Sequence, residues 1–425
     1  MARKIPIRFP AGARARLALR RLLAAAAALG FLLAAAWILR LAWADLEFRR
    51  GTPSSAQRAA ALAPGHAPYW MARSDWGSPD GEADLERAVR LNPYYSEAWI
   101  ELGLAAEARG DLARAERCLE QAARVDKGFR PRWSLANYYF RRRRPDEFWK
   151  WARLSLLVAP GDATALYRLC WLFEPNEELI LTRAIPDEPD HLARYLLFLL
   201  EQRRPEAAVR VAHRLIEQSA RAHAGLLVGL TEQLLTRGDV GRALAVWNAM
   251  CERGVLPYEP LDAHRGPLVT NADFRLPPRG AGFDWRILPV EGVSAAVAPA
   301  GGGLRLRFSG RQPDRCELLV QYLPVRPRGC YTLRWRYRSA DLAEESGLRW
   351  QISEPSSRRR LAAGPPRWDR GDGAAALDFC TGPAAELIQL TLRYDRLAGT
   401  TPLQGSLLLE GVELSAAARA AVPLP

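Results

Sequence analysis

Lysine is nearly missing from this chain of 425 residues: Lys4, Lys127 and Lys150 are the whole set, so 57 of the 60 basic side chains are arginine. A formal net charge of +13 would, in a cytosolic chain, suggest a nucleic-acid partner. Arginine used almost alone, beside abundant alanine, fits a GC-rich coding bias as much as selection for an anionic partner. No basic arm, zinc-finger spacing or RNA-binding aromatic motif accompanies the charge, so nucleic acid is not an expected partner. Histidine is scarce as well. His66, His191, His213, His223 and His264 lack metal-ligand spacing, and the six cysteines include no C-x-x-C pair, which argues against a structural zinc site. There is no G-x-S-x-G elbow and no P-loop, and Gly301–Gly303 reads as a hairpin loop rather than a phosphate cradle. Carboxylates occur throughout and leave a glycosidase pair open, but the C-terminal strands alternate with arginine rather than acid. The sequence assigns no catalytic residue, metal or cofactor, and the chain reads as non-enzymatic.

Acid is absent from the start of the chain, and what stands there is informative. Seven positive residues, Arg3, Lys4, Arg8, Arg14, Arg16, Arg20 and Arg21, precede eighteen uncharged residues from Leu22 to Leu39. At about 1.5 Å of rise per residue, this run extended past Arg40 through Leu41–Ala44 is long enough to cross a bilayer. The positive flank predicts a cytoplasmic tail at 1–21, a transmembrane anchor at 22–44 and everything later outside the inner membrane, in the periplasm. Ala42-Trp43-Ala44 before Asp45 also has the small-x-small form of a signal-peptidase site, which leaves removal of the segment as the alternative. The compartment is the same either way.

Between residues 55 and 255 a turn recurs. It appears as Trp76–Asp80, Arg109-Gly110-Asp111, Arg144-Pro145-Asp146, Glu174-Pro175-Asn176, Arg204-Pro205-Glu206 and Arg237-Gly238-Asp239. From Gly110 onward the spacings are 34, 30, 30 and 34 residues. Gly or Pro stops one helix, and the following Asp, Asn or Glu suits the positive start of the next. From Ser96 to Asp126, the residues Trp99, Leu102, Gly103, Ala106, Gly110, Ala115, Leu119 and Ala122 fall in the order of small and large positions of a tetratricopeptide repeat, and Pro93 closes the unit before. Ala243, Trp247 and Met250 repeat the logic, whereas residues 160–190 match poorly. The segment thus resembles that family, which implies an α-solenoid and a protein partner held in its groove. Trp70, Trp76, Trp99, Trp133, Trp149, Trp151, Trp171 and Trp247 are expected in inter-helix packing, and Arg141–Arg144 as a solvated run.

Helical periodicity stops near Gly254, and Pro257 and Pro260 mark a linker at 256–265. Alternation with period two follows. Leu304, Leu306 and Phe308 alternate with arginines, and Tyr331, Leu333, Trp335 and Tyr337 with Thr332 and three arginines. Leu348, Trp350 and Ile352 alternate with Arg349, Gln351 and Ser353, and Ile388, Leu390, Leu392 and Tyr394 with Gln389, Thr391, Arg393 and Asp395, with a last strand at Ser406–Leu414. Many short strands with one buried face each predict an antiparallel β-sandwich at 266–417, with a tail at 418–425. Val269–Phe274 followed by Gly282–Ile287 resembles the opening strand and tryptophan of galactose-binding-like jelly rolls, the fold of many carbohydrate-binding modules. Asn271 and Asp273 are expected to stabilise a turn. The whole arrangement resembles envelope proteins of bacterial exopolysaccharide and O-antigen machinery. The resemblance implies an adaptor in surface polysaccharide assembly, with a purely protein-binding scaffold as the alternative.

Two sets of side chains stand out in the β region. Cys330 and Cys380 take the outward register of their strands, and either bridge neighbouring strands or remain two free thiols. Cys316, in register with Leu318, Val320 and Tyr322, is expected to be buried. Arg305, Arg307, Arg334, Arg336, Arg338, Arg349 and Arg393 all take the polar register. If their strands share one sheet they converge on a patch suited to an acidic polysaccharide; otherwise they are a solvated face.

Overall fold

The computed structural model describes residues 11–218, 221–299 and 302–417. Arg3, Lys4 and Arg8 of the basic segment, Gly301, and the tail at 418–425 lie outside the described residues. The chain forms helical hairpins followed by an antiparallel β-sandwich, and it divides into two compact units, Met1–Pro175 and Asn176–Pro425.

The first unit begins with α1 (Ala11–Arg49), whose most apolar 18-residue stretch has a mean hydropathy of 2.4 and nothing buried against the protein. By length and composition it can cross a membrane. Its last turn is different. Ala44 is wholly buried with Ala59 and Ala60 of α2 (Pro53–Leu62). Glu47, also buried, accepts hydrogen bonds from Arg58 at 2.8 Å and from Arg50. Arg58, with Arg50, holds the Glu47 carboxyl below its usual range against the cost of burial. Arg40 donates to the Leu62 carbonyl at 2.6 Å. The apolar helix therefore runs without a break into the first helical layer.

Then come α3 (Ala67–Asp75), α4 (Gly81–Leu91), α5 (Ser96–Ala108), α6 (Leu112–Val125), α7 (Phe129–Arg142), α8 (Pro145–Leu157) and α9 (Thr164–Phe173). The second unit opens with α10 (Glu177–Arg183), α11 (Pro189–Glu201), α12 (Pro205–Glu217), α13 (Ala224–Thr236) and α14 (Val240–Glu252). Every recurring turn of the sequence falls between two of these helices. At three of these turns the residue before the next helix caps it: the Asp111 side chain accepts from the Arg114 N–H at 3.0 Å, Asn176 from the Leu179 N–H at 3.0 Å and Asp239 from the Arg242 N–H at 3.2 Å. Gly103 shows why the small positions are small. A Cβ there would lie 2.8 Å from Leu119 Cγ, so α5 and α6 approach as closely as they do only around glycine.

Arg141–Arg144 is not merely solvated. Arg141 grips Glu107 through two hydrogen bonds of 2.8 and 2.6 Å, and Arg144 reaches Glu116 at 2.7 Å. Arg114 pairs with Glu86 in the same way in the first unit, and Arg242 with Glu206 in the second. In each case a hairpin's arginine reaches a glutamate 28 to 36 residues earlier. The helical arginine excess is thus largely spent on stacking one hairpin against the one before it.

The β-sandwich has ten strands among the described residues: β1 (Arg286–Ile287), β2 (Val293–Val297), β3 (Leu304–Ser309), β4 (Arg315–Pro324), β5 (Cys330–Ala340), β6 (Leu348–Glu354), β7 (Arg359–Ala363), β8 (Gly371–Cys380), β9 (Leu387–Asp395) and β10 (Gln404–Ala416). One sheet has the order β1-β4-β9-β6-β7 (the β4 sheet) and the other β2-β3-β10-β5-β8 (the β5 sheet), and all pairings are antiparallel. The core between them includes Trp285, Trp350, Phe274, Tyr331 and Tyr394, each under 2% exposed. Trp350, Tyr331 and Tyr394 come from the alternating runs, and Phe274 and Trp285 from the two segments before them.

Two expectations need correction. The segment 256–265 is ordered rather than a loose linker. Leu256 and Leu261 are buried, the Asn248 side chain bonds both backbone groups of Leu261 at 2.8 Å, and Trp247 stacks on Tyr258. Glu232 of α13 accepts from the Gly282 N–H at 2.8 Å and from Arg286. The last hairpins and the sandwich therefore form one unit, and the boundary lies at 175/176 rather than 255. Second, an irregularity between Glu317 and Leu319 shifts the register of β4. Cys316 and Tyr394 are paired, facing the core, while Val320 and Tyr322 pair with Thr391 and Gln389 on the outer face. Cys316 is half-buried, and burial raises its thiol pKa.

Candidate functional site

The seven arginines do not converge on one sheet. Arg349 on β6 and Arg393 on β9 stand directly opposite each other on the outer face of the β4 sheet. Both donate to Asp395, at 2.9 Å each, so one carboxylate is shared by the two guanidinium groups. The other five lie on the outer face of the β5 sheet, where β10 runs between β3 and β5. Arg305 and Arg338 both face Leu408 from opposite sides, Arg307 faces Ser406, Arg336 faces Gly411, and Arg334 faces Glu413.

Their electrostatic situations differ. Arg338 is paired with Asp372 at 2.6 Å and Glu410 at 3.4 Å. Arg334 donates to the Ser415 hydroxyl at 2.9 Å. Arg305, Arg307 and Arg336 have no ion-pair or hydrogen-bond partner among the described residues. Like charges on adjacent rows of a sheet repel, and an arrangement of this kind is relieved by an anion. Here the excess of arginine does not serve internal pairing, unlike in the helical hairpins.

A cavity of about 660 Å³ opens on this face, lined by Arg334, Arg336, Glu413, Asp273 and the small residues Ala374, Ala376 and Gly411. The register explains its shape. Arg334 and Arg336 stand opposite Ala376 and Ala374 on β8, and Arg336 also stands opposite Gly411 on β10, so Arg336 is flanked by short side chains on both sides and Arg334 on one. A step in the β10 register between Leu409 and Gly411 places Gly411 there. The loop carrying Ala272 and Asp273 is strapped down by the Val412 N–H donating to the Ala272 carbonyl at 2.8 Å. Asn271 holds the Leu276 backbone through two hydrogen bonds, and Trp285 Nε1 donates to the Asn271 carbonyl at 3.2 Å. Asn271 is thus a turn residue, and Asp273 is one too, accepting from the Arg275 N–H at 3.4 Å and pairing with its guanidinium at 2.7 Å, while also lining the cavity.

A smaller cavity of about 230 Å³ lies against Arg305, Arg307, Ser294 and Ala296 at the other side of the sheet. Cys330 and Cys380 face each other across β5 and β8 on this same outer face and are joined by a disulfide, with Cα atoms 4.0 Å apart. Sequence reasoning did not pick out Glu413, Gly411, Ala374 or Ala376. The run of small residues from Gly373 to Ala376 was the available signal, but nothing in the sequence says which strand it will lie beside. In the first unit, a cavity of about 710 Å³ is lined by Trp99, Arg90, Arg114, Arg117 and Arg124 among others. Arg114 and Arg90 there are paired with Glu86. Among the described residues no group of three His, Cys, Asp or Glu side chains is placed to hold a metal ion.

No protein-family model matches the chain, and no curated protein matches it. Similar solved structures do exist. One described as "CBM4 structure and function" shares 13% identity, with 35% of this chain and 99% of that chain covered, at a TM-score of 0.28. A "Family 16 Carbohydrate Binding Module-2" shares 15% identity over 29% of this chain and 85% of its own, at 0.22. A carbohydrate-binding module from Cellvibrio mixtus lichenase 5A, solved with cellotriose, shares 9% identity over 30% and 88%, at 0.20.

Proposed function

We propose that this is a non-enzymatic, membrane-anchored adaptor whose β5 sheet binds an acidic polysaccharide during surface polysaccharide assembly. The observation that carries the reading is the cavity floored by alanine and glycine, where Arg336 has no partner among the described residues and Arg334 is held only by the neutral Ser415 hydroxyl. Guanidinium forks take carboxylates in bidentate fashion, and Asp273 and Glu413 at the same cavity accept hydrogen bonds from hydroxyl groups. A ligand that offers both carboxylates and hydroxyls matches that mixture. Flat stacking on neutral sugar is not provided for, because Trp335 and Trp350 are in the buried register.

The test is binding of polygalacturonate and of dextran to the detergent-solubilised full chain, at low and high salt. We expect salt-sensitive binding of the acidic polymer alone, weakened about tenfold or more in an Arg334→Ser/Arg336→Ser variant. Equal binding by that variant, or none by the wild type, would overturn the reading.

The runner-up is a scaffold that binds only proteins. The feature in its favour is the cavity between α4, α5 and α6, where exposed Arg117 has no partner among the described residues. An Arg117→Glu variant that loses a co-purifying protein while glycan binding is absent altogether would favour it. As to placement, we read α1 as a retained anchor with the bulk of the chain in the periplasm. Ala44 is buried in the first helical layer, which supports retention over cleavage after that residue.

A further inference from the structure

The arginine-lined cavity does not end at Glu413. Ala272 and Glu413 also line a second cavity of about 410 Å³, whose far wall is the loop His264, Arg265, Gly266 and Pro267. The two hollows therefore adjoin at Ala272 and Glu413. Between them they border β10 from Gly411 to Ala416, roughly 17 Å of strand at about 3.4 Å per residue. That is longer than any single sugar ring.

The loop at the far end is held in place before any ligand arrives. The Asp262 N–H donates to the Pro267 carbonyl at 3.0 Å, the Gly266 N–H to the Asp262 carbonyl at 2.8 Å, and the His264 N–H to the Asp262 carboxylate at 2.7 Å. Arg265 projects from this loop, exposed and without an ion-pair partner among the described residues. Along the groove the charges run Arg336, Arg334, then Glu413 with Asp273, which is paired with Arg275, then Arg265. An evenly charged polyanion such as single-stranded DNA or polyglutamate meets the Glu413 carboxylate in mid-groove. A chain of acidic sugars brings hydroxyl donors there.

We propose that these two cavities form one open-ended groove that takes an internal stretch of a linear acidic polysaccharide, with Arg265 as a second anion contact at the far end. The inference rests on the acidic-glycan reading above and adds length and polarity to it. Each added sugar then gains contacts until the loop is reached.

The experiment is calorimetric titration of the full chain in detergent with galacturonate and mannuronate dimers, tetramers and hexamers, and with polyglutamate and single-stranded DNA. For at least one of the two series, affinity should rise about tenfold or more from dimer to hexamer, as expected when a second site is engaged by the same molecule. An Arg265→Ser variant should lose that gain while binding dimer within about twofold of wild type. His264→Ala, a second exposed change on the loop, should leave the dimer equally unaffected. Dimer bound as tightly as hexamer, or a hexamer affinity untouched by Arg265→Ser, would overturn the extended groove and leave the acidic-glycan reading standing. No binding of any sugar, or equal binding of polyglutamate or DNA, would overturn that underlying reading instead.

Discussion

Single residues decide how the sandwich is fixed to the last helices. Gly282 has a φ of +64°, and a Cβ on it would lie 2.5 Å from the Trp247 ring. Gly282→Ala therefore combines left-handed backbone strain with an overlap against a fully buried tryptophan. We expect a loss of about 2–4 kcal/mol in denaturant unfolding; a loss below that of a typical surface change would show that the contact yields. Asp284, next but one along the chain, is wholly buried and accepts from the Tyr258 hydroxyl, the Arg279 N–H and the Trp285 N–H, each at 2.8 Å. Burial is the main influence on its carboxyl and, despite those donors, raises its pKa above the usual value of 3.8. A raised folded pKa means that the native state holds the proton longer than the unfolded chain. The stability contributed by this group is full below the unfolded pKa and is lost as pH rises through the folded one. Urea midpoints measured from pH 4 upward should therefore fall more in wild type than in Asp284→Asn, and parallel curves would refute the assignment.

At the level of elements, strands β3, β5, β6 and β9 were legible because period-two alternation of apolar residues with arginine and other polar residues matches a half-buried sheet. Cys330 and Cys380 were legible as outward-facing for the same reason. Register and order were not. The irregularity at Glu317/Leu319 reverses the facing of Val320 and Tyr322 without any sequence punctuation, and the distribution of the arginines over two sheets depends on which strands pair. β5 and β8 are joined by a bond that closes a separation of 50 residues, and β8 is an edge strand that carries Ala374 and Ala376 of the cavity. We expect thiol titration of denatured, oxidised protein to find Cys118, Cys170, Cys251 and Cys316 only, and reduction to add two more. Six thiols before reduction would mean that the bridge does not form. A Cys330→Ser/Cys380→Ser variant should lose about 2–4 kcal/mol, with glycan affinity falling further than stability alone explains, because the cavity's β8 wall is no longer pinned to β5.

For the whole molecule, the period of the hairpins was legible in its turns, since Gly or Pro followed by an acid both ends and starts a helix. The division at 175/176 was not, because it depends on the last hairpins packing against the sandwich through Trp247, Glu232 and Asn248, contacts that no local pattern announces. The same kind of contact bears on the anchor. A signal peptide is cleaved in an extended, accessible conformation, yet Ala44 lies within the continuous helix α1 and is buried against Ala59 and Ala60. Removal of residues 1–44 would also strip Arg40 from the Leu62 carbonyl and shorten the helix that positions Glu47 between Arg50 and Arg58. The segment is thus part of the folded layer as well as long enough to span. We expect the purified protein to retain Arg21, a phosphatase fused after Pro425 to be active outside the inner membrane, and Glu47→Gln to weaken the first layer by removing a charge held by two arginines. Because the Glu47 pKa is lowered, its contribution should be present near neutral pH and disappear as pH falls through the folded value. Recovery of Asp45 as the mature N-terminus would replace the anchor with a cleaved signal, and the first helical layer would then have to close without Ala44.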